Sequence, residues 1–221
     1  MPVEMFRREG KEWLGIWRIT ETIDELKHLL NASSVDIERI LNGISSLKYR
    51  IHRLSSRCLC LAGNLNPDTV FHMDNGKPFI ADKHQNLDIS ISHSGIYSVV
   101  MVREAGKPCG IDIQQYTEAL ERTAKRFLLP PEKEKMALFR EKMGEKFLIA
   151  VWCAKEAVFK AMPSAGSPHY RQVEVISIER MNGISLLSNF NIRCKAQNKE
   201  ILCRGFWYKK DYFCVYVEKD R

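Results

Sequence analysis

Residues 152–160 read Trp152-Cys153-Ala154-Lys155-Glu156-Ala157-Val158-Phe159-Lys160, and Gly110-Ile111-Asp112 stands upstream of them. The later stretch predicts a helix over about 144–162. Helical spacing at i, i+4 and i+8 places Trp152, Glu156 and Lys160 on one face, an aromatic ring, a carboxylate and an ammonium in a row. Asp112 ends a short apolar run over 109–113 that predicts a buried strand. A strand-end carboxylate facing a helical one suits a hard cation such as Mg²⁺, which takes oxygen ligands. A neighbouring ammonium suits a phosphate. Each residue alone also has a plainer reading. Asp112 ends a strand or caps a turn. Glu156 and Lys160 form an exposed ion pair one helical turn apart. Lys155 and Lys160 lay their stems along the surface.

On either side of this core the chain alternates short strands and helices. Residues 13–20 predict a first strand. Thr22 with Glu25 has the capping-box spacing, and Leu26, Leu29 and Leu30 supply the apolar side of the helix that follows. A further helix is expected over 35–41. Leu47, Ile51, Leu54, Cys58 and Leu61 recur at spacings of three and four, and predict a longer one. Its other faces carry Lys48, Arg50, Arg53 and Arg57, which read as a solvated basic stripe or as weak nucleic-acid affinity. Residues 87–92 and 97–103 alternate around a glycine-containing loop and predict a hairpin. Helices are expected at 118–129 and 131–140, and a loop at 163–168. Strands are expected at 173–179, 184–196, 201–208 and 212–218. Helices mixed with mostly antiparallel strands give an α+β fold.

The 221 residues suffice for one large domain or two small ones, and the 45% hydrophobic and 28% charged composition is that of a globular protein. The seven cysteines form no paired zinc-site spacing. Reduced thiols, the lack of a signal-like apolar start and the lack of any run long enough to cross a bilayer predict a cytoplasmic protein with no membrane partner. A formal net charge of +7 favours acidic or phosphorylated partners.

The pairing of Gly110-Ile111-Asp112 with Trp152-x-x-Lys155-Glu156-Ala157-x-x-Lys160 resembles the signature of the 4′-phosphopantetheinyl transferase superfamily, in particular its two-lobed, surfactin-synthetase-activating type. Two more segments resemble that family in the same order: Asn75-Gly76-Lys77-Pro78-Phe79, and Ile89-Ser90-Ile91-Ser92-His93-Ser94-Gly95. The resemblance implies two similar α/β lobes related by a pseudo-twofold axis, each with a small, mostly antiparallel sheet, and an active site in the cleft between them. It implies an N-terminal lobe over 1–106 with the coenzyme A motifs, and a C-terminal lobe over 107–221 with the metal and catalytic motifs. The implied reaction moves 4′-phosphopantetheine from coenzyme A to a serine of an acidic acyl or peptidyl carrier protein. It yields holo carrier protein and adenosine 3′,5′-bisphosphate, with Mg²⁺ as cofactor. Glu156 and Lys160 would be catalytic. Arg50 or Arg53, Lys77, Pro78, Ser92, His93, Asp112, Lys155 and Lys160 would hold coenzyme A. Asp112, Glu156 and Gln114 would hold the metal. Gln114 departs from the family, which commonly has Glu there; an amide oxygen can coordinate Mg²⁺ but brings no charge. Two-lobed members act as monomers, and a monomer is expected here. The alternatives are a basic nucleic-acid-binding protein and a catalytically inactive coenzyme A-binding protein of the same fold. Nucleic acid is the less favoured partner.

Overall fold

The computed structural model describes residues 3–31, 35–82, 84–162, 172–181 and 189–218. Contacts divide the chain into two compact units, Met1–Gly106 and Lys107–Arg221. Each is α+β, and all strand pairing among the described residues is antiparallel. Among those residues no helix is long and apolar enough to cross a membrane.

The first unit opens with β1 (Val3–Glu9) and β2 (Glu12–Arg18), then α1 (Ile23–Asn31), α2 (Ile37–Leu41) and α3 (Leu47–Ala62). A short 3₁₀ turn leads into β3 (Val70–His72) and β4 (Pro78–Ile80), and the unit ends with β5 (Leu87–Ser94) and β6 (Tyr97–Glu104). The main sheet has the order β1-β2-β6-β5, and β3 with β4 forms a separate ribbon. The Thr22–Glu25 capping box forms as expected: the Thr22 amide donates to Glu25 Oε2 at 2.7 Å and the Glu25 amide to Thr22 Oγ1 at 3.3 Å. The predicted hairpin is β5–β6, with Gly95 at φ +55°, a left-handed setting that glycine adopts without steric cost. The strand β1 and the β3–β4 ribbon had no matching expectation in the sequence.

α3 differs most from its expected surroundings. It packs on β2 and β6 and against α1 and α2, so its middle turns are covered on several sides. Leu54, Cys58 and Leu59 join Trp17, Leu26, Leu30, Val100 and Val102 in one core. Leu47, in the first turn, is 60% exposed instead of buried. Arg57 lies inside at 1% exposure and donates Nη2 to the Val70 carbonyl at 2.8 Å. The expected solvated basic stripe is thus corrected: burial draws the Arg57 guanidinium down to about 10.

The second unit begins with β7 (Ile111–Gln115), followed by α4 (Glu118–Phe127), α5 (Pro130–Glu134), α6 (Met136–Met143) and α7 (Phe147–Ala161). It ends with β8 (Val173–Arg180), β9 (Phe190–Ala196), β10 (Lys199–Tyr208) and β11 (Tyr212–Val217). The five-stranded sheet has the order β7-β11-β10-β9-β8, so the last strand is inserted beside the first. The helix expected over 131–140 is two helices that break at Lys135. The expected loop at 163–168 and the start of the strand expected at 184–196 fall outside the described residues.

α7 lies against every described strand of this sheet. Its side chains are apolar on nearly all sides, as a buried helix requires. Ile149, Cys153, Ala154, Ala157 and Val158 pack with Phe127, Phe139, Val173, Ile192, Phe213 and Val215. Gly110 permits the closest approach. A Cβ there would stand 2.0 Å from the Ala157 carbonyl oxygen and 2.9 Å from Ala161 Cβ. The neighbour is helix backbone, which cannot turn aside. Gly110→Ala is expected to push α7 off β7 and lower Tm by roughly 5 °C or more, read by thermal unfolding.

Candidate active site

The tight contact at Gly110 sets the next strand residues against the C-terminal half of α7. On β7, Asp112 pairs with Val215 and Gln114 with Phe213. Both partners belong to the core beneath α7, so strand alternation turns Asp112 and Gln114 toward the helix. Asp112 is 5% exposed. Lys160 Nζ donates to Asp112 Oδ1 at 2.7 Å and to the Ile111 carbonyl at 3.2 Å. Glu156, one turn back on α7, is half-buried. Burial raises its carboxyl above the usual range, the Asp112 charge raises it further, and the Lys160 ammonium lowers it. Two carboxylates and an ammonium drawn from separate stretches of chain therefore share one electrostatic environment. Gln114 is partly buried and points its amide Nε2 at the Gln115 carbonyl, 3.4 Å away.

Trp152 does not join this group. It packs edge-on against Phe127, with ring centroids 5.2 Å apart, and anchors α7 to α4. Lys155 also stands apart, which corrects the expectation that it meets coenzyme A. Its side chain is wholly withdrawn from solvent and lies 2.8 Å from Glu132 Oε1, itself wholly buried. Desolvation lowers the Lys155 pKa, and the bond to Glu132 opposes that shift. Glu132 was missed in the sequence. Its signal is local: Pro130-Pro131-Glu132 opens α5, and Glu132 Oε2 accepts the Leu129 amide at 2.6 Å in a capping arrangement.

The first unit holds a pocket of about 530 Å³. Its wall includes Tyr49, His52 and Arg53 of α3, His72 at the end of β3, Gly76 and Pro78, and His93 of β5. The turn before β4 places Gly76 at φ +83°. Arg53 Nη1 lies 2.7 Å from His72 Nε2. The His52 and His93 rings stack at 4.2 Å and 14°. Of the residues expected at the cofactor, Arg53, Pro78 and His93 meet here. Arg50 turns its Nε to the Ile44 carbonyl at 2.6 Å. Ser92 is buried, and strand alternation turns it to the face of β5 opposite His93. His52, His72 and Tyr49 had no signal in the sequence, since each comes from an unremarkable local context and only the fold brings them together.

Two of the wall histidines, His52 and His72, carry a pH consequence. Desolvation, then the charges of His93 and Lys48, lowers His52 to about 4, and its Nδ1 has no hydrogen-bond partner among the described residues. Desolvation, then Arg53 and Arg57, lowers His72 to about 3. Folded-state values below the ordinary 6.5 mean that the unfolded chain binds more protons between those limits. The stability is therefore complete above pH 6.5 and falls as pH drops toward 4 and 3. The largest loss for His52 is about 1.4 kcal/mol per pH unit. Thermal unfolding from pH 7 to pH 5 is expected to show a falling Tm, with a shallower fall in His52→Leu.

Comparison with known proteins agrees with this geometry. Residues 108–216 match the 4′-phosphopantetheinyl transferase superfamily. The chain is also 33% identical over 90 residues to 4′-phosphopantetheinyl transferase HetI of Nostoc sp. (strain PCC 7120), a stretch covering 39% of this chain and 38% of that relative. The matched stretch thus spans less than two thirds of the relative's length. The stretch that matches this superfamily lies within the second unit.

Proposed function

We propose that the chain transfers 4′-phosphopantetheine from coenzyme A to a serine hydroxyl of an acyl or peptidyl carrier protein. The observation that carries this reading is the convergence of Asp112, Glu156 and Lys160 within the segment that matches the family.

The residues fit a divalent cation. The Asp112 charge raises the carboxyl of Glu156, and such like-charge pressure is relieved by a cation. Among the described residues no group of three or more His, Cys, Asp or Glu gathers as a metal cluster. Asp112 and Glu156 would hold Mg²⁺, with Gln114 on the same strand face as a neutral third ligand. Mg²⁺, when bound, supplies charge neutralisation at the pyrophosphate.

The protein groups have separable tasks. Glu156 accepts the serine proton, and burial raises its basicity for that role. The serine oxygen forms a bond to the β-phosphorus as the bond to the bridging oxygen breaks. The leaving adenosine 3′,5′-bisphosphate takes the electron pair. Lys160, oriented by Asp112, offsets the charge that develops on that leaving group. In the first unit Arg53 and His93, with Lys77 and Pro78 of the neighbouring turn, serve the phosphorylated adenosine end. The cationic and aromatic wall of the pocket suits that end. The acidic carrier fits the +7 balance. Seven free thiols, all buried, suit a reducing cytoplasm.

The test is direct. The chain is incubated with coenzyme A, Mg²⁺ and an apo carrier protein, and the carrier is weighed by mass spectrometry. A gain of one phosphopantetheine group supports the reading. Unmodified carrier across fatty-acid, polyketide and nonribosomal peptide types overturns it.

A further inference from the structure

We propose that Lys155 is a positioning residue: paired with Glu132, it fixes the rotational setting of α7 and so aims Glu156 and Lys160 at Asp112. The inference rests on the phosphopantetheinyl transfer reading of that site. It starts from the edge of the second sheet. β8 is an outermost strand, so backbone groups on its free side need partners from elsewhere. Lys155 Nζ donates to the Val173 carbonyl at 2.5 Å, and Glu132 Oε1 accepts the Val175 amide at 2.7 Å. The ammonium and the carboxylate together do what the backbone of an added strand would do. Glu132 is itself held by the Leu129 amide at the start of α5.

The opposite edge of the sheet is β7, and there Lys160 donates to the Ile111 carbonyl and to Asp112. Positions 155 and 160 are about 140° apart around a helix. One helix is thus tied by two lysines to the two outer strands of one sheet, on different sides of its axis. Turning α7 either way breaks one tie. Glu156 directly follows the sealed lysine, so the Lys155 tie sets its direction. A buried ion pair contributes little net stability over an apolar pair, but loss of one partner leaves a buried uncompensated charge. That asymmetry makes the pair separable from substrate contact by experiment.

The test compares Lys155→Met, Glu132→Gln and the double variant with the wild type, in Tm, in amide exchange along Phe147–Ala161, and in carrier-labelling kinetics. Lys155→Met is expected to lower Tm by roughly 10 °C, to speed exchange along α7, and to cut kcat at least about tenfold. The KM for coenzyme A stays within about twofold. Glu132→Gln in the Lys155→Met background removes the stranded charge and keeps an acceptor for Val175. The double variant is therefore expected to regain more than half of the lost Tm, while exchange along α7 stays faster and kcat lower than in the wild type, because the tie to Val173 is still missing. A double variant that regains Tm but shows a KM raised about tenfold, as in Lys155→Met, would place Lys155 on the substrate and overturn the proposal. So would a Lys155→Met variant with unchanged exchange and kcat. If wild-type chain labels no carrier, the transfer reading fails by itself. The Tm and exchange cycle then still decides whether the pair sets α7.

Discussion

Asp112→Asn and Glu156→Gln are each expected to slow the proposed phosphopantetheine transfer by about 10³-fold, the scale set by loss of a general base or of a charged stabilising group. Both changes keep the side-chain shape, so the fold is expected to survive. Glu156→Gln in particular removes a carboxyl whose ionisation burial and Asp112 already oppose. Its Tm at neutral pH should equal or exceed that of the wild type. Asp112→Asn gives up the charge that holds Lys160 at 2.7 Å, so it impairs two groups at once. Combining the two substitutions should cost far less than the product of the single effects, because both act on one cluster. The measurement is the initial rate of apo-carrier mass gain with saturating coenzyme A and Mg²⁺. Labelling within severalfold of the wild type by either variant removes the proposed assignment.

Arg53→Ala is the second change with a large expected effect, and it acts on binding rather than on turnover. The Arg53 guanidinium lines the first unit's pocket beside His72, with the stacked His52 and His93 rings in the same wall. Burial lowers the Arg53 pKa, and the neighbours that shift His72 further are cationic. A phosphate there would relieve that repulsion. Hydrogen bonds to charged groups contribute about 1.5–3 kcal/mol, so KM for coenzyme A is expected to rise roughly 10–100-fold with kcat little changed. Coenzyme A lacking its 3′-phosphate should bind wild type and variant about equally. Equal loss for both ligands would show that Arg53 does not read that phosphate. Arg50→Ala serves as a comparison, since its Nε is engaged by the Ile44 carbonyl.

Local patterns in the sequence foretold what local physics controls. The Thr22–Glu25 box, the β5–β6 hairpin and the helical run ending near Lys160 all depend on near neighbours in the chain. Their spacing is visible without the fold. Asp112, Glu156 and Lys160 were singled out by the resemblance of their paired motifs to a known family, since each residue alone has a plainer structural reading. Of the pocket histidines only His93 was singled out, through the motif around it; His52 and His72 sit on other elements, and nothing near either marks it out. The fate of the lysines was equally hidden. Lys155 and Lys160 look alike in the sequence, yet one is sealed against Glu132 and the other is partly exposed beside Asp112. Burial of α3 on several sides likewise removed Arg57 from the surface, which no helical periodicity predicts.

The strand order of the second unit has a consequence for biosynthesis. Among the described residues β7 is joined to its sheet through β11 alone, and β11 leaves the ribosome after the other strands of that sheet. Until then the apolar segment Phe147–Ala161 lacks the part of its cover that Phe213, Val215 and Val217 supply. Long-range closure of this kind is slow and leaves a nascent chain adhesive. Chaperone capture during translation, and poor recovery of chains cut short before Tyr212, follow from where a single strand falls in the order of synthesis.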